Sequence, residues 1–225
     1  MNFVKNNIFI LIIFNLLLSK FPDATNYNGM VVSSNKYASD IGVEVLRNGG
    51  NAIDAAIAVS FALAVVHPGA GNIGGGGFMV IRTADGEVTT IDFREKAPSL
   101  ASKNMFLDDS LNVIADKSWS TALASGVPGT VSGMWLAHEK YGTKAWYSLV
   151  NPSVQLAKHG FNLDALNSSY LNSDKYRSFL SRDIEAKAIF TKESNYRIGE
   201  KFIQSDLSNT LKRIAYYGAI EFYEG

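Results

Sequence analysis

From Ala38 the small and apolar positions run Ala38, Ile41, Gly42, Val45 and Leu46, the i, i+3, i+4, i+7, i+8 stripe of an amphipathic helix. Gly49 and Gly50 end it, since glycine accepts the left-handed backbone that helix C-termini often need. Asn51 is then placed to cap a second helix, with Asp54 three residues on to complete a capping box. That helix, residues 52–66, is apolar on every side except at Asp54 and Ser60, which predicts burial all round. Pro68 closes it. Upstream, residues 30–34 read as a short strand. Downstream, the glycine-rich run 69–77 leads into a strand over 78–82. The Asp85-Gly86 step then turns the chain into a partner strand over 88–93. From about residue 100 the pattern turns mostly helical. Val131, Met134 and Trp135 mark one helix face after a turn at 126–129, and a further helix is expected over 152–159, closed by Gly160. Beyond Asn162 the chain is rich in Asn and Ser and its elements are not readable. No internal repeat or low-complexity linker divides it.

The N-terminus changes the picture of compartment. Residues 8–18 are apolar except for Asn15 and follow Lys5. Eleven residues cannot cross a hydrocarbon core about 30 Å thick, which takes roughly 20. Length and flank suit a secretory signal peptide over residues 1–24, with an uncleaved amphipathic anchor or a buried helix as the plainer readings. The expected location is periplasmic or secreted, with no stable membrane span. The 225 residues carry 21 basic and 21 acidic side chains and a pI near 6.8. Loss of the leader removes only Lys5, Lys20 and Asp23, so the chain stays near neutral and is not expected to bind nucleic acid. A mean hydropathy of +0.02 with 12% aromatic residues excludes a disordered chain. The absence of cysteine rules out disulfides, thiolate nucleophiles and zinc–thiolate sites.

Few motifs carry chemistry unaided. Gly69, Gly71 and Gly74 spell G-x-G-x-x-G, but a dinucleotide site needs a strand before that motif and a helix after it. The order here is reversed, and no Lys-Ser/Thr pair makes a P-loop. The run therefore reads as close backbone packing, and no cofactor is expected. His138-Glu139 lacks the second histidine of a zinc helix, since residue 142 is glycine. No G-x-S-x-G elbow presents a serine to a triad. His67, His138 and His159 are read as structural, and no metal site is expected. Arg94, at the end of the second strand, has two readings. A guanidinium can grip a carboxylate with two parallel hydrogen bonds. A surface ion pair with Glu95, worth about 0–1 kcal/mol, is the simpler one on these residues alone.

Four ordered motifs resemble one family. Asn48-Gly49-Gly50-Asn51-Ala52-Ile53-Asp54-Ala55-Ala56, Gly71-Asn72-Ile73-Gly74-Gly75-Gly76-Gly77-Phe78-Met79, Asp92-Phe93-Arg94-Glu95 and Ala124-Ser125-Gly126-Val127-Pro128-Gly129-Thr130-Val131 are similar to the large subunit of gamma-glutamyltranspeptidases. Glu221-Phe222-Tyr223-Glu224-Gly225 adds a fifth similar segment. The resemblance implies an α+β fold, part of an N-terminal-nucleophile hydrolase αββα sandwich that is incomplete in this chain. It implies transfer or hydrolysis of the γ-glutamyl group of glutathione and related amides through a threonine acyl-enzyme. The threonine's own α-amine can act as base, so no histidine is needed. By the same resemblance Arg94 holds the donor's α-carboxylate, and a small subunit from the same precursor is the partner.

The sequence departs from the family in what it lacks: by the resemblance, the small subunit's acidic residues for the donor's amine and its glycine pair for the oxyanion are absent. The Thr-Thr-His nucleophile motif is absent; Thr89-Thr90 is followed by Ile91 and lies in an expected strand. Residues 25–225 therefore read as the N-terminal part of a large subunit, truncated at its C-terminus and inactive alone, with no catalytic residue of its own. Two alternatives stand beside this. One is a stand-alone γ-glutamyl or carboxylate-binding protein using Arg94, and the other is a fragment of a related N-terminal-nucleophile acylase.

Overall fold

Helix α1 (Lys36–Arg47) starts where the Asn35 side chain accepts the Tyr37 N–H at 2.9 Å in a computed structural model that describes residues 28–225. The leader expected over residues 1–24 lies outside the described residues. Val31–Gly225 pack as one unit, and the described residues 28–30 before it are exposed. The strand expected at 30–34 does not form. Its polar end is committed to the helix start: the Ser33 hydroxyl donates to the Asn35 carbonyl at 2.9 Å and pairs with the Ser39 hydroxyl at 2.8 Å. Local bonds of that kind compete with a strand ladder.

Helix α2 (Ala52–Val66) is the centre of the core. Ile57, Ala58, Phe61, Ala62, Val65 and Val66 are all buried. The capping box forms as expected: Asn51 accepts the N–H groups of Ile53 and Asp54, and Asp54 accepts the Asn51 N–H at 2.9 Å. Asp54 itself is fully buried. It also accepts the Thr143 N–H at 3.0 Å, the Thr143 hydroxyl at 2.5 Å and the Lys144 N–H at 3.2 Å. Burial, the largest single influence, pushes its carboxyl up. The Thr143 hydroxyl and the three backbone donors together outweigh burial and hold it below the usual carboxylate value. At the other end, buried carbonyls need partners. Gln204 donates to Val65 at 2.8 Å, while Asn35 and Asn167 donate to Val66 at 3.2 and 2.9 Å. Three distant segments thus cap one helix.

Strands β1 (Phe78–Arg82) and β2 (Val88–Asp92) form an antiparallel hairpin with Val80 opposite Thr90. Ile81 and Ile91 face the core; Phe78, Val80 and Val88 on the other face are exposed. The expectation of helix from about residue 100 is wrong up to residue 116. Asp108 accepts the N–H groups of Ser110 and Asn112, both at 2.9 Å, and Leu111 takes a φ of 64°. These side-chain turns displace helix until the single turn α3 (Lys117–Ser120) and a 3₁₀ turn at Ala122–Ala124. Helix α4 (Thr130–Tyr141) falls where expected.

Helix α5 (Trp146–His159) begins six residues before the expected start and contains Pro152. An internal proline costs about 3 kcal/mol. The buried stripe Trp146, Leu149, Val150, Ser153, Val154 and Ala157 runs through it, and its burial offsets that cost. The segment after Asn162 holds three short helices: α6 (Ala165–Asn172), α7 (Asp174–Leu180) and α8 (Ile184–Phe190). Strands β3 (Phe161–Asn162) and β4 (Lys201–Phe202) form a second small antiparallel sheet. Helix α9 (Ser205–Tyr217) packs on α5, where the Trp146 indole donates to the Ile214 carbonyl at 2.9 Å, and α10 (Ile220–Glu224) follows. The fold is α+β and mostly helical; among the described residues the strands form two two-stranded sheets.

Candidate functional site

Arg94 leaves the end of β2, where the Asp92 carboxylate accepts its backbone N–H at 3.0 Å and bends the chain out of the ladder. Just before it, Phe93 and Gly77 exchange two backbone bonds at 3.0 and 3.3 Å. Just after it, Lys96 and Val127 exchange two more, at 3.1 and 2.7 Å. The Gly75 carbonyl accepts the N–H groups of both Gly129 and Thr130, at 2.7 and 3.0 Å. The glycine run, the Asp-Phe-Arg-Glu segment and the Gly-Val-Pro-Gly turn therefore converge on one place. This accounts for the glycines as packing: a Cβ on Gly76 would lie 2.8 Å from the Glu95 backbone nitrogen, closer than any side chain tolerates.

An open cleft of about 530 Å³ lies against this junction. Its polar lining is Asp92, Arg94, Lys96, Ser132, Glu139 and Tyr223, with Trp135 among its apolar walls. The Arg94 side chain is 65% exposed, and its Nε stands 3.0 Å from a Glu95 carboxylate oxygen. The plain ion pair expected from the residues alone is therefore present. It uses the inner nitrogen, and the two terminal nitrogens make no hydrogen bond to another described residue. Two cations and two carboxylates line the cleft, an arrangement suited to a ligand carrying both signs of charge.

None of the three histidines lines this cleft. His138 sets Nε2 2.8 Å from the Lys144 carbonyl and packs edge-on against Trp146, His67 is the C-cap of α2, and His159 ends α5. Among the described residues no cluster of histidine and carboxylate side chains is placed to hold a metal ion, and no helix is long and apolar enough to cross a membrane. Thr89 and Thr90 lie in β2, with Thr90 paired to Val80. Reasoning from sequence singled out Arg94 but not Lys96, Ser132, Glu139 or Tyr223 as its neighbours. The only signal for Tyr223 was its place in the Glu-Phe-Tyr-Glu-Gly segment.

Comparison with known proteins gives one family. The gamma-glutamyltranspeptidase family model matches residues 38–225. A glutathione hydrolase proenzyme of Pseudomonas sp. (strain A14) is 51% identical over 204 residues, and that of Escherichia coli is 47% identical over 203. Each alignment covers 88% of this chain and 34% of the relative, so the chain spans about a third of the length of these curated relatives. The crystal structure of Helicobacter pylori gamma-glutamyltranspeptidase superposes with a TM-score of 0.87 at 47% identity, over 91% of this chain and 58% of that one. The chain belongs to the gamma-glutamyltranspeptidase family.

Proposed function

We propose that this chain is the donor-binding part of an enzyme that transfers the γ-glutamyl group of glutathione and related amides to water, an amino acid or a peptide. The observation that carries the reading is Arg94, exposed on a cleft where the motif segments meet and paired only at its edge with Glu95 among the ion pairs of the described residues. There it takes the donor's α-carboxylate in two parallel hydrogen bonds. That carboxylate is remote from the scissile amide, so the contact selects γ-glutamyl donors and orients the reacting carbonyl. Glu95 restrains the guanidinium from its inner side.

The attacking group is a threonine that forms the acyl-enzyme, with its own α-amine as base. No Thr-Thr-His sequence occurs in these 225 residues. In this reading that threonine belongs to a small subunit cut from the same precursor, and these residues alone do not turn over. The exposed apolar face of the hairpin, Phe78, Val80 and Val88, supports its being two strands of a larger αββα sandwich. The apolar run at residues 8–18 supports export to the periplasm or beyond.

Two measurements on the purified chain test this. Incubation with γ-glutamyl-p-nitroanilide is expected to release no p-nitroaniline; release would end the division of labour between two parts. Calorimetric titration with glutathione is expected to show binding that Arg94→Ala weakens at least about tenfold, the value of a charged hydrogen bond. Equal binding by that variant would end the carboxylate reading.

A further inference from the structure

We infer that Tyr223 is a positioning residue for Arg94: from the last helix it caps the helix whose entry turn is bonded to the Arg94 segment. The inference rests on the proposed role of Arg94. Helix α4 starts under a constraint. Its N-cap is Gly129, which has no side chain to accept a first-turn N–H. A Cβ there would collide with the Phe93 carbonyl, so the usual serine, aspartate or asparagine cap is barred.

Tyr223 supplies the missing oxygen. Its hydroxyl accepts the Ser132 N–H at 3.2 Å across 91 residues, at the third helical residue, where cap oxygens act. The same hydroxyl donates its proton to the Pro128 carbonyl at 2.9 Å. One oxygen therefore holds both sides of the helix start, and the tyrosine also lines the cleft beside Arg94. The held turn is bonded onward through Val127 to Lys96 at 2.7 and 3.1 Å, two residues beyond Arg94. Tyr223 is itself anchored, because Glu221 in the same helix takes Arg213 of α9 at 2.6 Å. The connection from Tyr223 to the guanidinium consists entirely of hydrogen bonds and short stretches of chain.

The test is Tyr223→Phe, which keeps the ring and removes one oxygen. Amide hydrogen exchange of the purified chain is expected to quicken about tenfold at Lys96, Val127 and Ser132, the size of effect a lost cap gives. Exchange at Ile57 and Ile81 in the core should not change, which also reports that the variant folds. Should it not fold, Arg213→Gln loosens α10 without touching Tyr223 and gives the same local readout. Glutathione is then titrated into wild type, Tyr223→Phe, Arg94→Lys and the double variant. The expected result is a loss of about three- to tenfold from Tyr223→Phe in the wild type and of less than about twofold beside Arg94→Lys. Unchanged exchange at Lys96, or equal losses in both backgrounds, would overturn the positioning role. Faster exchange with no glutathione binding, or with binding indifferent to Arg94→Lys, would instead overturn the carboxylate reading and the positioning role with it. The exchange data separate the two failures.

Discussion

Replacing Asp54 by asparagine changes almost no volume and removes one charge at a fully buried position. The carboxylate meets four donors. One oxygen takes the N–H groups of Thr143 and Lys144, and the other takes the Asn51 N–H and the Thr143 hydroxyl. An amide offers one acceptor oxygen and one NH₂. Whichever way the introduced amide turns, its NH₂ faces a pair of donors, and at least one part-buried N–H loses its partner. Each such loss costs about 1–3 kcal/mol, and exchanging charged for neutral acceptance weakens the remaining bonds. A total of about 2–5 kcal/mol follows, a large share of the 5–15 kcal/mol typical of a domain. The pH dependence is fixed by the sign of the shift. The folded carboxyl titrates below its usual value, so its contribution is full above the unfolded value of about 4 and is lost as pH falls through the lower folded one. Urea unfolding followed by circular dichroism should therefore show a wild-type advantage near neutral pH that shrinks through the acid range. A variant within about 0.5 kcal/mol of wild type near neutrality, or a difference that does not change with pH, would refute the argument.

Gln204→Ala leaves the buried Val65 carbonyl at the end of α2 without its donor; unfolding stability should fall by about 1–3 kcal/mol, measured by urea titration. The Tyr176 phenol, pushed up to about 12 by burial first and by Tyr170 beside it, should be missing from the normal tyrosine titration near pH 10. Its contribution to stability is intact below that pH and is lost as pH rises through the folded value; an ultraviolet difference titration against Tyr176→Phe reads the ionisation, and urea unfolding at alkaline pH reads the stability. Arg94→Lys keeps the positive charge but not the planar fork; glutathione binding should weaken about tenfold while the unfolding midpoint stays unchanged.

Features encoded by neighbouring residues were legible. The Asn51–Asp54 box, the all-apolar α2 and the hairpin around Gly86 each declare themselves within one turn or one strand pair. The errors came where side chains act at middle range. Pro152 looked like a helix start because proline favours first turns, yet burial of Trp146, Leu149 and Val150 carries the helix back through it. The Asn- and Ser-rich stretch after Asn162 gave no elements when read by composition. Read by position, Asp164, Ser173 and Asp183 are N-caps that each begin a short helix. In the candidate site, Arg94 was visible locally as a strand-end arginine next to acids, but its reading as a carboxylate holder came from the family resemblance. Tyr223 and Glu139 were not visible, since only the fold brings α10 and α4 to the same cleft.

On the proposed function, the two readings of Arg94 that the sequence left open are compatible. An ion pair this exposed contributes about 0–1 kcal/mol, too little to explain why three segments are hydrogen-bonded together around it. What the pair does is geometric. Glu95 stands 3.0 Å from Nε, so on the proposed function the pair restrains the guanidinium at one edge while its other edge takes the carboxylate. A carboxylate arriving there meets a group already oriented, so less side-chain entropy is lost on binding. The rigid base beneath it is built from main chain: Gly77 to Phe93, Lys96 to Val127 and Gly75 to Gly129 and Thr130. On the proposed function, that base is why the family's glycines surround an arginine they never contact through side chains. They let backbones approach closely enough to fix where a long, flexible residue begins.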